Sequence, residues 1–243
     1  MKIEDQHFLK DGKIIEKMIK AAELKKDDAV FEIGAGEGNI TKEIAKKCRV
    51  IAVELDIKFK DELDKIENAE IIFGNALYRL DEFRFNKIIS NVPFSITEPL
   101  FKKLMKKEFD NAVLLIGEKF FEIIKSDGKL GITKKIFFDA KKICDAERKC
   151  FEPEPRTECV VVKITKRKKK LTKFENLVKE VLLQDDKKVK NALMYAMKRA
   201  DNLTKNEARK LIYKNIPATL LDKIVDNLSN EEFLEVYERI KKI

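Results

Sequence analysis

Apolar residues along the first 165 positions follow two alternating spacings. Short runs of consecutive apolar residues, typical of buried strands, occur at 29–33, 49–53, 69–73, 85–90 and 112–116. The segments between them carry apolar residues every three or four positions, which predicts helices at 13–24, 39–47, 58–66 and 98–106. Strands and helices that alternate at this spacing predict a mostly parallel sheet with helices on both faces.

The pattern changes after residue 150. A proline-punctuated loop at 151–156 precedes an apolar run at 159–164, which predicts a last, antiparallel strand of the same sheet. From residue 171 only helical spacing remains, at 174–183, 189–199, 206–214, 217–227 and 230–240. Thr204 with Glu207 and Ser229 with Glu232 have the spacing of capping boxes. We therefore expect an α/β domain over residues 1–165 and a small all-α domain over 166–243.

Composition narrows the class of protein. Of the 243 residues 44% are hydrophobic, enough for a packed core. No run of about 18 uncharged apolar residues exists, so we expect no membrane span. The first residues lack the apolar stretch of a signal peptide, so a cytoplasmic protein is expected. Four cysteines without metal-ligand spacing and a single histidine predict reduced thiols and no metal site.

The positive charge is unevenly distributed. The formal net charge is +9, yet residues from Lys166 onward hold 20 basic and 12 acidic side chains, so the first 165 residues are almost neutral. Five of the basic residues form one run, Lys166–Lys170. Such a run serves either as a solvated linker or as a contact for nucleic-acid phosphates.

The first candidate site is the glycine-rich loop that follows the first long strand. Gly34, Gly36 and Gly38 let the backbone turn sharply and approach a ligand closely. A dinucleotide fingerprint requires G-x-G-x-x-G, but here the third glycine comes one residue early, which argues against a nicotinamide cofactor. With Glu32 before it, the loop resembles motif I of the class I S-adenosylmethionine-dependent methyltransferases.

Two polar residues follow the next two strands. Glu54 ends the second strand, 20 residues after Gly34, where a carboxylate can accept hydrogen bonds from both hydroxyls of a ribose. Asn75 follows the third strand within Gly74-Asn-Ala-Leu77. The comparable methyltransferase pattern has Asp there, accepting from the cofactor's adenine amine, and Asn keeps one acceptor oxygen for that bond.

The most informative motif is Asn91-Val-Pro93-Phe94, at the end of the fourth strand. It resembles the N/D-P-P-Y/F group of amino methyltransferases. An exocyclic amine of a purine is a poor nucleophile because its lone pair is delocalised. The Asn91 carboxamide oxygen and a backbone carbonyl can accept its two hydrogens and so aim the lone pair at the methyl group. Phe94 can stack on the extruded base.

Together these motifs resemble the adenine N6,N6-dimethyltransferases of small-subunit ribosomal RNA. The ordered matches, over nearly the whole chain, are 5–9 (DQHFL), 91–99 (NVPFSITEP) and 151–157 (FEPEPRT). The resemblance implies a Rossmann-like, seven-stranded class I methyltransferase domain followed by a helical domain. It implies S-adenosylmethionine as the cofactor and ribosomal RNA or a precursor of the small ribosomal subunit as the partner. We expect the protein to act as a monomer. The resemblance also implies a cofactor pocket formed by His7, Leu9, Gly34, Gly36, Glu54, Asn75 and Asn91. The catalytic residues that it implies are Asn91, Pro93 and Phe94.

The chain departs from the family pattern in the segments with which family members contact RNA. Asp5 replaces a glycine, the segment after the fifth strand differs around 117–119, and a basic motif survives only loosely at 187–193. These departures leave two alternatives to ribosomal RNA methylation. One is a methyltransferase acting on a different amine, in another RNA, a protein or a small molecule. The other is a non-catalytic RNA-binding factor of ribosome assembly.

Overall fold

The computed structural model describes residues 6–201 and 203–242; Asp5 lies outside this part of the chain. The described chain divides into two compact units. The first contains the residues up to Glu122 together with Asp139–Lys166, and the second contains Ile123–Phe138 and the residues from Arg167 onward. The second unit therefore takes in a mid-chain segment that the sequence pattern does not assign to it.

Nine strands occur in the described residues. In chain order they are β1 (Phe8–Leu9), β2 (Ala29–Ile33), β3 (Arg49–Glu54), β4 (Ala69–Phe73), β5 (Lys87–Asn91), β6 (Asn111–Gly117), β7 (Phe138–Ala146), β8 (Phe151–Glu152) and β9 (Cys159–Lys166). Seven of them form one sheet in the order β4-β3-β2-β5-β6-β9-β7. The pairs from β4 to β6 are parallel and β9 is antiparallel to β6. The expected parallel sheet with a late antiparallel strand is confirmed.

The helices of the first unit lie between the strands. They are α1 (Gly12–Ala22), α2 (Asn39–Ala45), α3 (Lys60–Leu63), α4 (Ala76–Arg79), α5 (Phe94–Met105) and most of α6 (Glu118–Lys125). One core joins α1 and α2 to alternate strand residues, including Val30, Val50, Ile89 and Val113. The intervening strand residues point to the opposite face because side chains alternate along a strand, and α4 and α5 contact the sheet as well.

The second unit is helical. It contains α7 (Lys129–Phe137), α8 (Lys173–Leu183), α9 (Val189–Asp201), α10 (Lys205–Asn215), α11 (Ala218–Leu221) and α12 (Asn230–Ile240). Both predicted capping boxes are present, at the starts of α10 and α12, and a third at Thr172 begins α8. No helix in the described ranges is long and apolar enough to cross a membrane.

Several expected elements are shorter than predicted. The predicted helix 217–227 ends at Leu221, because the chain then runs alongside residues 185–189 and bonds to their backbone, as in the Val225 N–H to Lys187 carbonyl bond of 2.9 Å. The predicted helix 58–66 is a 3₁₀ turn followed by the four residues of α3. The sequence analysis gives no prediction for β7, α6 or α7; charged residues interrupt the apolar spacing in β7 and α7, whereas α6 has helical spacing at Phe120, Phe121, Ile123 and Ile124.

A buried ion pair fixes the amino-terminal edge of the sheet. The Lys87 ammonium, at the start of β5, lies 3.0 Å from the Asp28 carboxylate, and both side chains are 5% exposed. Lys87 also donates to the carbonyls of Ala22 and Glu23, which end α1, over 2.8 and 2.6 Å. One charged side chain thus ties a helix end, a loop and a central strand together.

Replacing Lys87 by Met should destabilise the protein by about 3–5 kcal/mol, because Asp28 then remains buried without its counter-charge. Urea-induced unfolding measures this loss. Lys46→Met is the matched control: Lys46 pairs with Glu43 at the surface, and its removal should change the free energy of unfolding by less than about 0.5 kcal/mol. Equal losses in the two variants would contradict the anchoring role.

Candidate active site

A cavity of about 310 Å³ opens where the parallel strands end. Carboxyl ends of parallel strands meet at one edge of a sheet, and ligands of open α/β sheets bind there. The cavity lies within the first unit. Its lining residues are Gln6, His7, Phe8, Ile33, Gly34, Gly36, Val53, Glu54, Leu55, Gly74, Asn75, Ala76, Asn91, Val92, Pro93, Phe94, Ser95, Ile96 and Phe151.

The glycine-rich loop forms one wall of the cavity. Gly34 and Gly36 have φ angles of +73° and +54°, a region that side chains disfavour. A Cβ on Gly36 would come within 3.0 Å of the Phe8 ring. Glycine is therefore required at this position both by conformation and by space, and the loop presents bare backbone to the cavity.

Glu54 ties this loop to the next strand. Its carboxylate is 5% exposed and lines the cavity. The Gly36 N–H donates to Oε2 over 2.7 Å and the Asp56 N–H donates to Oε1 over 2.8 Å. Each oxygen keeps a further acceptor position, so the carboxylate can still bind hydroxyl groups while the two backbone bonds hold it in place.

Asn75 lines the cavity at the start of α4. Its Oδ1 already accepts from the Leu77 N–H over 2.9 Å, which caps the helix. The oxygen expected to accept from an adenine amine is thus shared with the protein backbone, and only its second lone pair remains. The side-chain nitrogen adds a donor that an Asp would lack.

The motif from Asn91 to Phe94 joins β5 to α5 and lies on the cavity wall. Nδ2 of Asn91 donates to the His7 carbonyl over 2.7 Å. Pro93 lies beside Gly34, since a Cβ on that glycine would be 3.8 Å from the proline ring. The Phe94 ring lies 5.8 Å from the His7 ring, tilted by 35°.

Residues 6–9, which we call the N-terminal strap, lie across this edge of the sheet. Phe8 and Leu9 pair antiparallel with β8. Gln6 accepts from Lys58 over 3.1 Å, and Nδ1 of His7 lies 2.8 Å from the Pro153 carbonyl. A carbonyl can only accept, so Nδ1 carries the hydrogen in this bond. The strap brings His7 and Phe8 to the cavity.

The structure brings together all but one of the residues predicted for the site. Leu9 does not line the cavity; it is 3% exposed and packs in the core, while its carbonyl accepts from Asn39 over 3.0 Å. The pattern missed Val53, Leu55, Ala76, Ile96 and Phe151. Leu55 has the clearest sequence signal of a place in the site, because it directly follows Glu54 at the end of a predicted strand. In the structure this apolar residue is 46% exposed.

Beneath the glycine-rich loop lies a buried acid. The Glu32 side chain is 1% exposed, and its Oε2 has no hydrogen-bond partner among the described residues. Burial raises the pKa of Glu32 to about 8; the Glu54 charge adds to the rise and the Thr41 hydroxyl opposes it. At neutral pH the Glu32 carboxyl therefore holds its proton.

The basic run Lys166–Lys170 is not uniformly available to a ligand. Lys166 donates to the carbonyls of Leu104 and Met105, at the end of α5, over 2.8 and 3.0 Å. Arg167 pairs with Glu175 at 3.5 Å and is 16% exposed. Lys168, Lys169 and Lys170 are exposed. Only these three remain as candidates for phosphate contacts. The described residues hold no cluster of three His, Cys, Asp or Glu side chains placed for a metal.

The strand order, the antiparallel β9 and the cavity at the strand ends define a Rossmann-like methyltransferase fold. Solved structures with this fold include a dimethyladenosine transferase from Plasmodium falciparum, with a TM-score of 0.65 and 24% identity over 97% of this chain and 98% of that one. Another is the 23S rRNA methyltransferase ErmE, with a TM-score of 0.62 and 19% identity over 96% and 99%. At such identities these two show the fold alone.

Sequence comparison gives the family. The family described as ribosomal RNA adenine dimethylase matches residues 3–242. A probable ribosomal RNA small subunit methyltransferase A of Methanosarcina barkeri is 33% identical over 97% of this chain and 86% of its own. The ribosomal RNA small subunit methyltransferase A of Thermotoga maritima is 33% identical over 98% and 84%. The chain belongs to the ribosomal RNA adenine dimethylase family, whose members act on ribosomal RNA with S-adenosylmethionine as methyl donor.

Glu32→Gln should change the pH dependence of stability. The folded protein keeps the Glu32 proton up to about pH 8, whereas the unfolded chain loses it near the ordinary value of 4.5. The folded state therefore binds more protons between these values, and this residue lowers stability as pH rises through them. The variant lacks that loss, so its stability relative to wild type should rise between pH 5 and pH 8.

Chemical denaturation at both pH values measures the difference in unfolding free energy between the two proteins. Glu62→Gln, at an exposed position of α3, is the control for removing a glutamate side chain from the surface. A Glu32→Gln difference that stays constant with pH would mean that Glu32 is not buried in its protonated form.

Proposed function

We propose that this chain transfers methyl groups from S-adenosylmethionine to the exocyclic amine of adenine in small-subunit ribosomal RNA. One observation carries the proposal: a single cavity is lined by Gly34, Gly36, Glu54, Asn75 and the motif 91–94. Membership in the ribosomal RNA adenine dimethylase family supports the substrate.

The cavity residues fit the chemistry of the donor molecule. The bare backbone at Gly34 and Gly36 leaves room that a side chain would fill. Glu54, held by two backbone N–H groups, offers acceptors for ribose hydroxyls. Asn75 offers a shared oxygen and a nitrogen donor to an adenine ring. S-adenosylmethionine, when bound, supplies an electrophilic methyl group on a sulfonium.

The protein's own part in the transfer is to position the target amine. The Asn91 oxygen can accept one amine hydrogen, and a backbone carbonyl of the motif can accept the other, which directs the nitrogen lone pair. The Phe94 ring, at the cavity wall, gives the base a surface for stacking. No residue needs to form a covalent bond with the base.

Asn91→Ala tests this assignment. It should lower turnover by about 100-fold or more, because it removes an acceptor that orients the reacting group. The dissociation constant of S-adenosylmethionine should change far less. Methyl incorporation into small-subunit particles gives turnover, and calorimetry gives cofactor affinity. Equal losses in both would place Asn91 in cofactor binding instead of amine positioning.

We further propose that the second unit, including the basic residues that precede α8, contacts RNA phosphates. Residues from Lys166 onward carry most of the net charge, and Lys168–Lys170 are exposed. A basic cluster on the second unit adds to them. Lys188 and Lys190 both pair with Asp222, at 3.0 and 2.7 Å, so two cations share one carboxylate there.

Changing Lys168, Lys169 and Lys170 to Gln should weaken RNA binding and reduce its salt dependence. If each lysine contacts one phosphate, the slope of log affinity against log salt falls in magnitude by about 2 to 3. A matched control changes Lys26, Lys47 and Lys65, which are also exposed but belong to the first unit, to Gln. Filter binding over a range of salt concentrations measures both slopes. Equal effects in the two triple variants would attribute binding to net charge alone.

Substrate identity is tested directly. Labelled methyl groups should enter adenine of small-subunit particles or their RNA. Label entering another RNA, a protein or a small molecule in preference to these particles would support the alternative amine substrate. Cofactor binding without any transfer to RNA, protein or small molecule would instead support an RNA-binding assembly factor.

A further inference from the structure

The orientation of the Asn91 side chain is set by the N-terminal strap. We propose that the His7 backbone carbonyl holds the Asn91 carboxamide with its oxygen available to the target amine. The His7 imidazole acts as a positioning group that keeps this carbonyl in place. The inference rests on the proposed function, because it assigns a role within the same methyl transfer.

A carboxamide has two ends of almost equal shape and opposite hydrogen-bonding character. An amine substrate needs the oxygen end, since the nitrogen end would oppose its N–H groups. Nδ2 of Asn91 donates to the His7 carbonyl over 2.7 Å. No described residue donates to the Asn91 oxygen. A half-turn of the side chain would set two oxygens against each other, so the His7 carbonyl selects one orientation.

The His7 carbonyl is itself fixed from both sides. On the side towards β8, Nδ1 of His7 donates to the Pro153 carbonyl over 2.8 Å, and Phe8 pairs with Glu152. On the other side, the Lys58 ammonium donates to Gln6 over 3.1 Å. The carbonyl therefore lies between anchored points, and removing the imidazole donor releases the anchor nearest to Asn91.

The His7 ring also faces the base-stacking residue. Its centroid lies 5.8 Å from that of Phe94. A strap that served only to enclose the cofactor would affect cofactor affinity and leave the geometry of the amine unchanged. A strap that orients Asn91 affects turnover, and the two roles are separable by experiment.

Asn91→Asp gives the sharpest test. An ionised Asp would face the His7 carbonyl with an oxygen and be repelled, whereas a protonated Asp can donate to that carbonyl and keep its other oxygen as acceptor. Turnover of the variant, divided by that of wild type, should therefore rise by about tenfold or more as pH falls from 8 to 5.5. The charged or titratable side chains around this position, His7 and Glu54 at the cavity and Asp56 and Lys58 beside the strap, are present in both proteins, so the wild-type pH profile is the reference for the ratio. A ratio that is flat, or highest where Asp is ionised, would overturn the proposal.

Two His7 variants separate donor loss from general disruption. His7→Leu removes the donor to Pro153 and should lower turnover by up to about 100-fold, with little change in KM for RNA. His7→Asn keeps an N–H group near the position of Nδ1 and should restore most of the turnover. Glu154→Ala, at an exposed position that follows Pro153 outside β8, is the control and should match wild type. Failure of His7→Asn to exceed His7→Leu would contradict the positioning role.

A measurement on the free protein makes the test independent of activity. The Asn91 side-chain amide protons, followed by NMR, should be protected from solvent exchange in wild type and His7→Asn, and lose protection in His7→Leu. Lost protection in a wild-type protein that methylates no RNA would count against both proposals. Protection in an inactive wild type would refute the proposed function and leave the hydrogen bond in place. Equal protection in all three proteins would refute the inference.

Discussion

Parallel strands carry their carboxyl ends to one edge of a sheet, and the candidate active site depends on that constraint. Residues distant in the chain, from the loops after β2, β3, β4 and β5, meet there. Hydrogen bonds then join neighbouring strand ends. The Ser90 hydroxyl donates to the Ile33 carbonyl over 2.6 Å, and the Gly74 N–H donates to the Glu54 carbonyl over 2.8 Å. The ends of the strands that carry the site are thus bonded to one another beyond the sheet pairing.

The part of the site that follows the strands could be predicted from sequence. Glycines at Gly34 and Gly36, an acid at Glu54 and the motif at Asn91 stand at fixed places after apolar runs, and strand pattern with residue type suffices to bring them together. The seven-stranded sheet implied by the family resemblance is confirmed.

The remaining parts depend on long-range pairing that leaves no local pattern. The strap pairs two residues of β1 with two of β8, too few for a detectable periodicity, so the pattern does not bring Phe151 to the cavity. The family resemblance implies a pocket role for Leu9, whose side chain packs in the core instead. Lys87 interrupts an apolar strand, and only its burial against Asp28 explains it. The apolar spacing does not predict α4, so it gives no sign that the Asn75 oxygen caps that helix. The net positive charge of the basic run likewise overstates the charge that an RNA phosphate can reach, since Lys166 and Arg167 have intramolecular partners.

The bond between His7 and Pro153 joins residues 146 positions apart in the chain. During synthesis the first residues leave the ribosome long before the last part of the site has been made. The strands β2 to β5 can pair as they emerge, yet the strap has no β8 to pair with until residue 152 follows. A nascent chain shorter than this holds the glycine-rich loop, Glu54 and Asn91 without the carbonyl anchor at Pro153. The hydrogen bond that anchors His7 can therefore form only after residue 153 has been made, whatever the earlier strands have already paired.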